Sequence, residues 1–481
     1  MVSLDRSGLA YIIRCMTRTT DEIAAQWSVY AAGIAYDDLP DNVRIVLKWL
    51  VLDTFGTTLA ANTLGIGIPE LLAWARASGG TPEATLLGFR EKLPVVNAAM
   101  VNGGMAHALN FDDSTAVGSG HLGPISVPCA LAGAELKGGA TGKEFMASIA
   151  VSAELMSRIG VAITKVEQRF SESKPQPTQM PGYFAAALSA SRMLEFTPEQ
   201  VHSALGLALM QASGGRQPVL EGRPAKAIYA AFPNQGGMLS AMLTKHGLRG
   251  DCDLFEGEAG FFKTYYGGEY YRPFMTDGLG EEFYLRNVGF KPWPTTGVAH
   301  VFIEAGANLK RDHGFAPDEI ASVRISGEPH IRTFCEPLQT RRNPQAPVEA
   351  EDSVIFSVAR ALTSGDVSLA DLQPTPDGLF DKSTVRVANV INYEVDESLG
   401  KSGVVEVTLT SGKTLMKRVN QARGHRDNPL SDGQRRQKFL DCAQHAATPL
   451  SRESLEQVID LVEHLEDVPD VRVFPELLAQ A

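Results

Sequence analysis

The sequence has few cysteines, and they are scattered. The 481-residue chain holds five, and no two of them form a CxxC pair. An odd, widely spaced set is typical of reduced thiols and not of a disulfide framework. We therefore expect a cytoplasmic protein without structural disulfides. The five are Cys15, Cys129, Cys252, Cys335 and Cys442.

Long apolar runs and a targeting segment are lacking as well. No apolar run approaches the roughly 18–20 residues that span a bilayer, so no membrane segment is expected. The N-terminus has a short apolar patch at residues 9–13, but no basic start and no small-residue cleavage site. This pattern favours a loosely ordered leader over a signal peptide, with Met16 as a candidate start of the protein.

Basic residues are outnumbered by acidic ones. The 44 Lys and Arg residues face 56 Asp and Glu residues, which gives a formal net charge of −12. A nucleic-acid-binding protein normally shows a basic stripe, so we expect neither nucleic acid nor an anionic membrane as a partner. An anionic small molecule stays possible, because a pocket can be basic inside an acidic shell.

Motifs for common cofactors are also missing. The sequence has no HExxH, no HxxH and no clustered Cys and His residues, and no GxGxxG opens a βαβ unit. A GxSxG nucleophile elbow is absent too. We therefore expect neither a metal nor a dinucleotide cofactor, and no serine-hydrolase chemistry.

Helical periodicity dominates the first 285 residues. Val43, Val46, Leu47, Leu50 and Val51 follow the i, i+3, i+4, i+7 spacing of a buried helix stripe. A second helix, with the same stripe over residues 201–209, is predicted to open at residues 197–200, where a capping hydroxyl precedes a proline, and to stop at residues 214–215. Residues 141–144 resemble part of a phosphate loop but lack its spacing, and they are better explained as a capping box.

The pattern changes near Lys291. Residues 320–326, 385–393, 404–409 and 414–419 alternate as strands do, and the last two flank a predicted hairpin turn. A helix is predicted at 352–362, and helical spacing returns after residue 429. The predicted fold class is mainly α, with a large all-helical domain that carries an inserted, smaller α+β lid domain. We place the helical domain at 17–286 and 427–478 and the lid at 287–426.

Residues that could carry chemistry concentrate between positions 102 and 135. Asp112 and Asp113 are adjacent carboxylates, Ser114 follows them, and His121 lies eight residues after the pair on a glycine-rich loop. A histidine on such a loop suits a general base, although an ordinary polar turn has the same composition.

Cations form a second group of candidates. Arg216, Arg223 and Lys226 lie in a Gly- and Pro-interrupted stretch where they could hold a carboxylate, or could be solvated surface charges. Lys291 begins a Pro-rich segment where helices give way to strands, which is either a cleft or a stiff linker. Glu154 and Arg158 have i, i+4 spacing and are predicted to form a structural ion pair.

Several segments, taken in their order along the chain, resemble those of the MmgE/PrpD family, which includes 2-methylcitrate dehydratase, cis-aconitate decarboxylase and iminodisuccinate epimerase. The resemblance covers about residues 20–478, and it is the shared order of the segments that makes it specific. The segments are LVLDTFGTTLA (50–60), VNGGMAHALNFDD (101–113), GHLGPISVPCALAGAE (120–135), GLALMQASG (206–214), AKAIYAAFPNQGG (225–237), FEGEAGFF (255–262), KPWPTTGVAH (291–300) and DNPLSDGQRRQKF (427–439).

The resemblance implies a cofactor-free homodimer with its active site in the cleft between the two domains. It implies a small anionic carboxylate as substrate and a carbanion next to a carboxylate as the reacting species. By matching position, His121 resembles the family's catalytic histidine, and Ser114 falls where the family has Thr or Ser. Lys226 and Lys291 resemble its substrate-carboxylate lysines, and Asp112 is grouped with these catalytic candidates.

Other matched positions depart from the family pattern. The family usually reads DFDD where residues 110–113 of this sequence read NFDD, so Asn110 replaces the first carboxylate and Asp113 is the last residue of the motif. A second family histidine corresponds to a position near Gln176, and a lid tyrosine corresponds to His330. The family's Arg in a YPSCR-like segment has no counterpart in residues 293–297. Asn110, Asp113, Gln176, His330 and Arg223 are the predicted substrate contacts. The losses favour either a substrate with fewer carboxylates or a different order of proton transfers.

The leading hypothesis is a cofactor-independent lyase of the dehydratase type that acts on a small hydroxy-carboxylate. An isomerase or epimerase using the same proton abstraction is the first alternative. A decarboxylase is the second, and a family member without catalytic activity is the third.

Overall fold

The computed structural model describes residues 21–115, 120–164, 176–375, 378 and 380–479. The predicted leader and Cys15 lie outside these residues. Over the described ranges the chain is mainly helical, as expected. The α-helices are Glu22–Gly33, Asp41–Leu64, Ile68–Ala77, Val95–His107, Gly123–Lys137, Gly142–Ile163, Gln179–Met193, Pro198–Leu209, Gln217–Leu220, Ala231–Lys245, Phe261–Tyr266, Pro273–Thr276, His300–His313, Ile331–Cys335, Leu338–Arg342, Pro347–Glu351, Val354–Ser364, Lys382–Asn389, Asp432–Ala443, Arg452–Glu463 and Val473–Ala479.

The strands are short and few. Two antiparallel pairs lie among the helices, β1 with β2 and β3 with β4, and the other four strands form one mixed sheet of order β6-β5-β7-β8. Within that sheet β5 runs parallel to β6 and antiparallel to β7. The strands are β1 (Ala84–Thr85), β2 (Lys92–Leu93), β3 (Ser114–Thr115), β4 (Val288–Gly289), β5 (Ile320–Gly327), β6 (Ile391–Val395), β7 (Gly403–Leu409) and β8 (Thr414–Val419).

Two separate hydrophobic cores show the two-domain organisation. The first collects residues from Ile23 to Phe290 and from Leu430 to Leu478, with Leu369 as its one member from the described part of the inserted segment, so the chain leaves this core and returns to it. The second runs from Trp293 to Val419 and covers the mixed sheet with the His300–His313 and Val354–Ser364 helices. The residue boundaries at 286/287 and 426/427 stay predictions.

Several local predictions are confirmed. The predicted stripe from Val43 to Val51 is buried in the Asp41–Leu64 helix. Thr141 and Glu144 form a capping box, and so do Thr197 and Gln200. The hairpin of β7 and β8 is present, with Thr408 paired to Thr414.

Two local predictions are wrong. The predicted strand over 385–393 is a helix, Lys382–Asn389, followed by β6. The Asp381 side chain caps this helix, and Thr384, Val387 and Ala388 are buried at helical spacing, which a short alternating run cannot distinguish from a strand. The second helix ends at Leu209, five residues before the glycines that were predicted to stop it.

One helix corrects the expectation that no apolar run reaches membrane-spanning length. Gly142–Ile163 has 22 residues and a mean hydropathy of 1.4, so it meets the length and composition of a spanning helix. However, 94% of its apolar window is buried inside the protein. It also carries the predicted Glu154–Arg158 pair, which is confirmed at 2.7 Å with both side chains fully buried.

Candidate active site

Asp113 fixes the loop that carries the predicted catalytic residues. This loop connects the Val95–His107 and Gly123–Lys137 helices. One carboxylate oxygen of Asp113 accepts from the Leu122 N–H at 2.7 Å and the other from the Gly123 N–H at 2.9 Å. A Cβ at position 123 would lie 2.9 Å from the Asp113 carboxylate and 2.3 Å from Thr54 Oγ1, so this close approach requires glycine. Asp113 therefore holds the helix N-terminus directly after His121.

Asp112 lies at the centre of the site and accepts from two histidines. Its Oδ2 atom is 2.8 Å from His107 Nδ1 and 3.0 Å from His121 Nδ1. The two imidazole rings cross edge to face, with centroids 4.8 Å apart. Asp112 is buried, whereas 20% of the His121 side chain is exposed. His121 is therefore the histidine of the pair that a ligand can reach more easily.

The hydrogen bonds of His121 determine which ring nitrogen is free. Besides Asp112, its Nδ1 atom lies 2.5 Å from the backbone oxygen of Asp113. Both neighbours are acceptors, so Nδ1 carries the proton and Nε2 carries the lone pair. The loop therefore presents a neutral imidazole with its basic nitrogen directed away from Asp112.

A row of alternating charges continues from Asp112 to the lid. Lys291 Nζ lies 3.7 Å from Asp112 Oδ1 and donates to Asn110 Oδ1 at 2.7 Å and to the Asn110 backbone oxygen at 2.9 Å. The Asn110 side-chain amide donates to Asp352 Oδ1 at 3.2 Å, and Lys226 Nζ donates to the same oxygen at 2.6 Å. Asn110 has a φ of 50°, a left-handed conformation that asparagine tolerates better than most residues. The row thus joins the helical domain to the lid through Asp352.

Burial and these charges shift the pKa values of the site. Burial raises the pKa of Asp113 to about 8, with a further contribution from the Asp112 charge. Burial acts on Asp112 in the same direction, but His121, His107 and Lys291 together hold its pKa well below the usual range. Burial lowers the pKa of His121 despite the nearby Asp112, and it also lowers the pKa of Lys291. At neutral pH the site therefore combines an ionised Asp112 with a neutral His121.

A cavity of about 350 Å³ opens beside Lys291. Ser114 lines it from the helical domain, Phe290 and Lys291 line it from the segment that leads into the lid, and Glu328 and Ser402 line it from the lid itself. Its volume falls in the range of small-molecule sites. Ser114 belongs to it because β3 pairs with β4, which ends two residues before Lys291. A small carboxylate therefore fits between the two domains next to this lysine.

The structure brings most of the predicted residues together. Asn110, Asp112, Asp113, His121, Lys226 and Lys291 are linked by the contacts above, and Ser114 lines the adjacent cavity. Their individual roles stay predictions.

Three predicted substrate contacts lie apart from this group. The Gln176 side chain accepts from the Thr178 and Gln179 N–H groups and caps the next helix. Arg223 is 68% exposed and pairs with Glu221 at 3.4 Å. His330 is exposed on the lid, where its ring packs against Phe334. Their predicted contacts with substrate stay predictions.

The sequence reasoning missed His107 and Asp352. His107 ends the Val95–His107 helix five residues before Asp112, so its place in the quoted VNGGMAHALNFDD segment was a usable signal. Asp352 had no such signal, because it meets Lys226 across 126 positions of sequence. Only the packing of the lid on the helical domain creates that contact.

Among the described residues, His107, Asp112 and His121 are the group whose ligand atoms could surround a metal ion, since these atoms lie within 4.8 Å of one another. The two imidazole nitrogens already share one carboxylate oxygen, and the Lys291 ammonium lies 3.7 Å from the other. A nearby ammonium opposes a second cation, so the contacts favour a proton-transfer group over a metal centre.

Comparison with known proteins agrees with this architecture. The MmgE/PrpD N-terminal domain matches residues 25–273, and the MmgE/PrpD C-terminal domain matches residues 293–464. The cis-aconitate decarboxylase-like protein oryM of Aspergillus oryzae is 26% identical, over 96% of this chain and 98% of its own. Cis-aconitate decarboxylases of Aspergillus terreus and Homo sapiens are 24% and 23% identical, over 95% and 93% of this chain and 96% and 92% of their own. Because the two domain matches cover most of the sequence, the chain belongs to the MmgE/PrpD family, whose members include lyases that act on small carboxylates.

Proposed function

We propose that the chain is a cofactor-independent lyase of the dehydratase type that acts on a small hydroxy-carboxylate. The observation that carries this proposal is the His121–Asp112 contact at 3.0 Å with Lys291 beside it. A proton on the carbon next to a carboxylate is weakly acidic. Its removal therefore needs a positioned base and a cation near the developing negative charge.

The proposed reaction uses His121 as the base and then as the acid. Nε2 of His121 takes the proton from the carbon next to the carboxylate, and Asp112 stabilises the imidazolium that results. Lys291 stabilises the enolate that forms. The imidazolium then returns its proton to the departing hydroxyl group, so the products are water and an unsaturated carboxylate. No oxidant or reductant is required.

Purified protein with a panel of small hydroxy acids in deuterated water tests this proposal. Proton NMR follows both the alkene product and exchange of the proton next to the carboxylate. We expect an alkene signal with at least one hydroxy acid and none with the His121→Ala variant, which should lose a factor of about 10²–10⁴ in rate. The absence of both an alkene product and deuterium exchange across the whole panel would overturn the proposal.

Two other reactions are distinguished when cis-aconitate is added to the panel and released carbon dioxide is measured. An isomerase shares the proton abstraction, whereas a decarboxylase forms its carbanion by losing carbon dioxide. Deuterium incorporation into recovered substrate without an alkene would favour an isomerase or epimerase. Release of carbon dioxide from cis-aconitate would favour a decarboxylase, the activity for which the relatives are named. Asn110 and the position near Gln176 depart from the family pattern, and these departures argue against 2-methylcitrate and cis-aconitate themselves as the substrate.

We also propose that the protein works as a cytoplasmic homodimer. The dimer follows from the family resemblance, and the compartment follows from the cysteines, of which Cys129, Cys252, Cys335 and Cys442 are unpaired thiols. Light scattering of the purified protein tests the dimer, and a monomer at micromolar concentration would contradict it.

A further inference from the structure

Asp352 binds the lysine that was predicted to hold a substrate carboxylate. The Lys226–Asp352 distance is 2.6 Å, and the two side chains are only 12% and 5% exposed. Lys226 belongs to the Pro224–Ile228 turn of the helical domain, whereas Asp352 follows the Pro347–Glu351 helix of the lid. One carboxylate of the protein thus occupies this cation before any substrate binds.

The position of Asp352 is fixed by its backbone. Its N–H donates to the Val348 backbone oxygen at 3.3 Å, and its own backbone oxygen accepts from Arg341 Nη1 at 3.0 Å. The next residue, Ser353, caps the Val354–Ser364 helix. Because a helix lies on either side of Asp352, its carboxylate cannot leave Lys226 without movement of the lid backbone or a change of rotamer.

A second carboxylate at Lys226 would meet a like charge. Both carboxylates would contact the same ammonium, so they would lie within a few ångströms of each other, and like charges at such distances repel when partly buried. The Asn110 amide, which could otherwise donate to the substrate, also donates to Asp352 at 3.2 Å. Lys291 differs, because it lines the cavity and its nearest carboxylate oxygen is 3.7 Å away.

We propose that Asp352 is a specificity-determining residue, which neutralises Lys226 and restricts the site to substrates that present a single carboxylate, at Lys291. This inference rests on the proposed function, since it assumes that the site binds a carboxylate.

The test compares three unreactive probes that differ in their number of carboxylates: butyrate, succinate and tricarballylate. Isothermal titration of the native protein should give no tighter binding for succinate or tricarballylate than for butyrate. The Asp352→Asn variant keeps an acceptor for Lys226 but removes the charge. It should tighten succinate and tricarballylate by about tenfold relative to butyrate, as for the loss of one like-charge contact.

Glu349→Gln is the matched control, because Glu349 lies on the Pro347–Glu351 helix and its carboxylate contacts the Gln345 N–H. This variant should leave the order of the probes unchanged. Circular dichroism checks the fold, and if Asp352→Asn does not fold, native binding that tightens with each added carboxylate still overturns the role of Asp352.

Two outcomes separate the two proposals. Native binding that tightens with each added carboxylate, or an unchanged order in Asp352→Asn, overturns the role of Asp352 and leaves the proposed function standing. Binding of none of the three probes, together with no deuterium exchange in the panel above, overturns the proposed function and this inference with it.

Discussion

Replacing Asp112 by Asn should inactivate the protein while leaving it folded. Asp112 Oδ2 accepts from both His107 and His121, at 2.8 and 3.0 Å. An asparagine offers one acceptor atom and one donor group. If its oxygen takes the place of Oδ2, its amide N–H groups face the Lys291 ammonium, which lies 3.7 Å from Oδ1, and if the amide is turned they face the Nδ1–H groups of both histidines. The change also removes the negative charge that stabilises the imidazolium.

The expected loss is a factor of about 10²–10⁴ in kcat, the range for a general base that loses its function. This loss corresponds to about 2.7–5.4 kcal/mol of transition-state stabilisation, at about 1.36 kcal/mol for each factor of ten. Because the contact acts on proton transfer and not on substrate binding, KM should change much less than kcat. The assay is the NMR measurement of exchange and product described above, with thermal unfolding as the check on the fold.

Glu135→Gln is the matched control for this variant. Glu135 is 4% exposed and pairs with Lys92, but it lies at the far end of the Gly123–Lys137 helix from the site. The Glu135→Gln substitution removes a buried carboxylate that contacts neither histidine. A folded Asp112→Asn protein with kcat within threefold of the native value would refute the role of Asp112, and so would an equal loss in Glu135→Gln.

Three further outcomes are expected. Lys291→Met should lower kcat/KM by about 10²–10³, the usual cost of losing one donor to a developing negative charge; an unchanged value in steady-state kinetics would exclude Lys291 from the site. In the pH profile of kcat/KM, the acid limb should have its midpoint below pH 6.5, because burial lowers the pKa of His121. The alkaline limb should have its midpoint below pH 10.5, because burial lowers the pKa of Lys291 and deprotonation removes its charge. An acid limb centred above pH 6.5 would contradict the assignment of the base. Arg158→Met should lower the free energy of unfolding by about 3–5 kcal/mol, because it leaves the Glu154 carboxylate buried without its cation. Urea unfolding measures this loss of stability. The loss should be smaller in the Glu154→Gln/Arg158→Met double variant, which has no unpaired buried charge.

The sequence predicted those parts of the fold that depend on neighbouring residues. Helix stripes and capping boxes are set within a few positions, so Val43–Val51 and Thr141–Glu144 were read correctly. The strand prediction for residues 385–393 was wrong because this short run of valines fits both the two-residue period of a strand and the buried stripe of a short helix. There Asp381 and the buried contacts of Thr384 and Val387 favour the helix.

In the site, too, only the contacts between residues close in sequence were predictable. Asp112, Asp113 and His121 share one loop, so their proximity follows from the sequence. The hydrogen bond that gives His121 its tautomer does not, because it depends on the rotation of a ring against Asp112 Oδ2. The pairing of Asp352 with Lys226 is even less predictable from the sequence, because it exists only where the lid packs on the helical domain.

Contacts within the helical domain and contacts between the two domains are expected to serve different functions in the site, proton transfer and substrate selection. Asp112, His107 and His121 all lie in the helical domain, so a displacement of the lid would leave their hydrogen bonds intact. The same displacement would pull Asp352 away from Lys226 and Asn110, because Asp352 belongs to the lid. Changes at Asp352 should therefore act mainly on which carboxylates bind, and changes at Asp112 mainly on the rate of proton transfer. A variant of Asp352 that lowered kcat as strongly as Asp112→Asn, with KM unchanged, would show that the two parts of the site do not act separately.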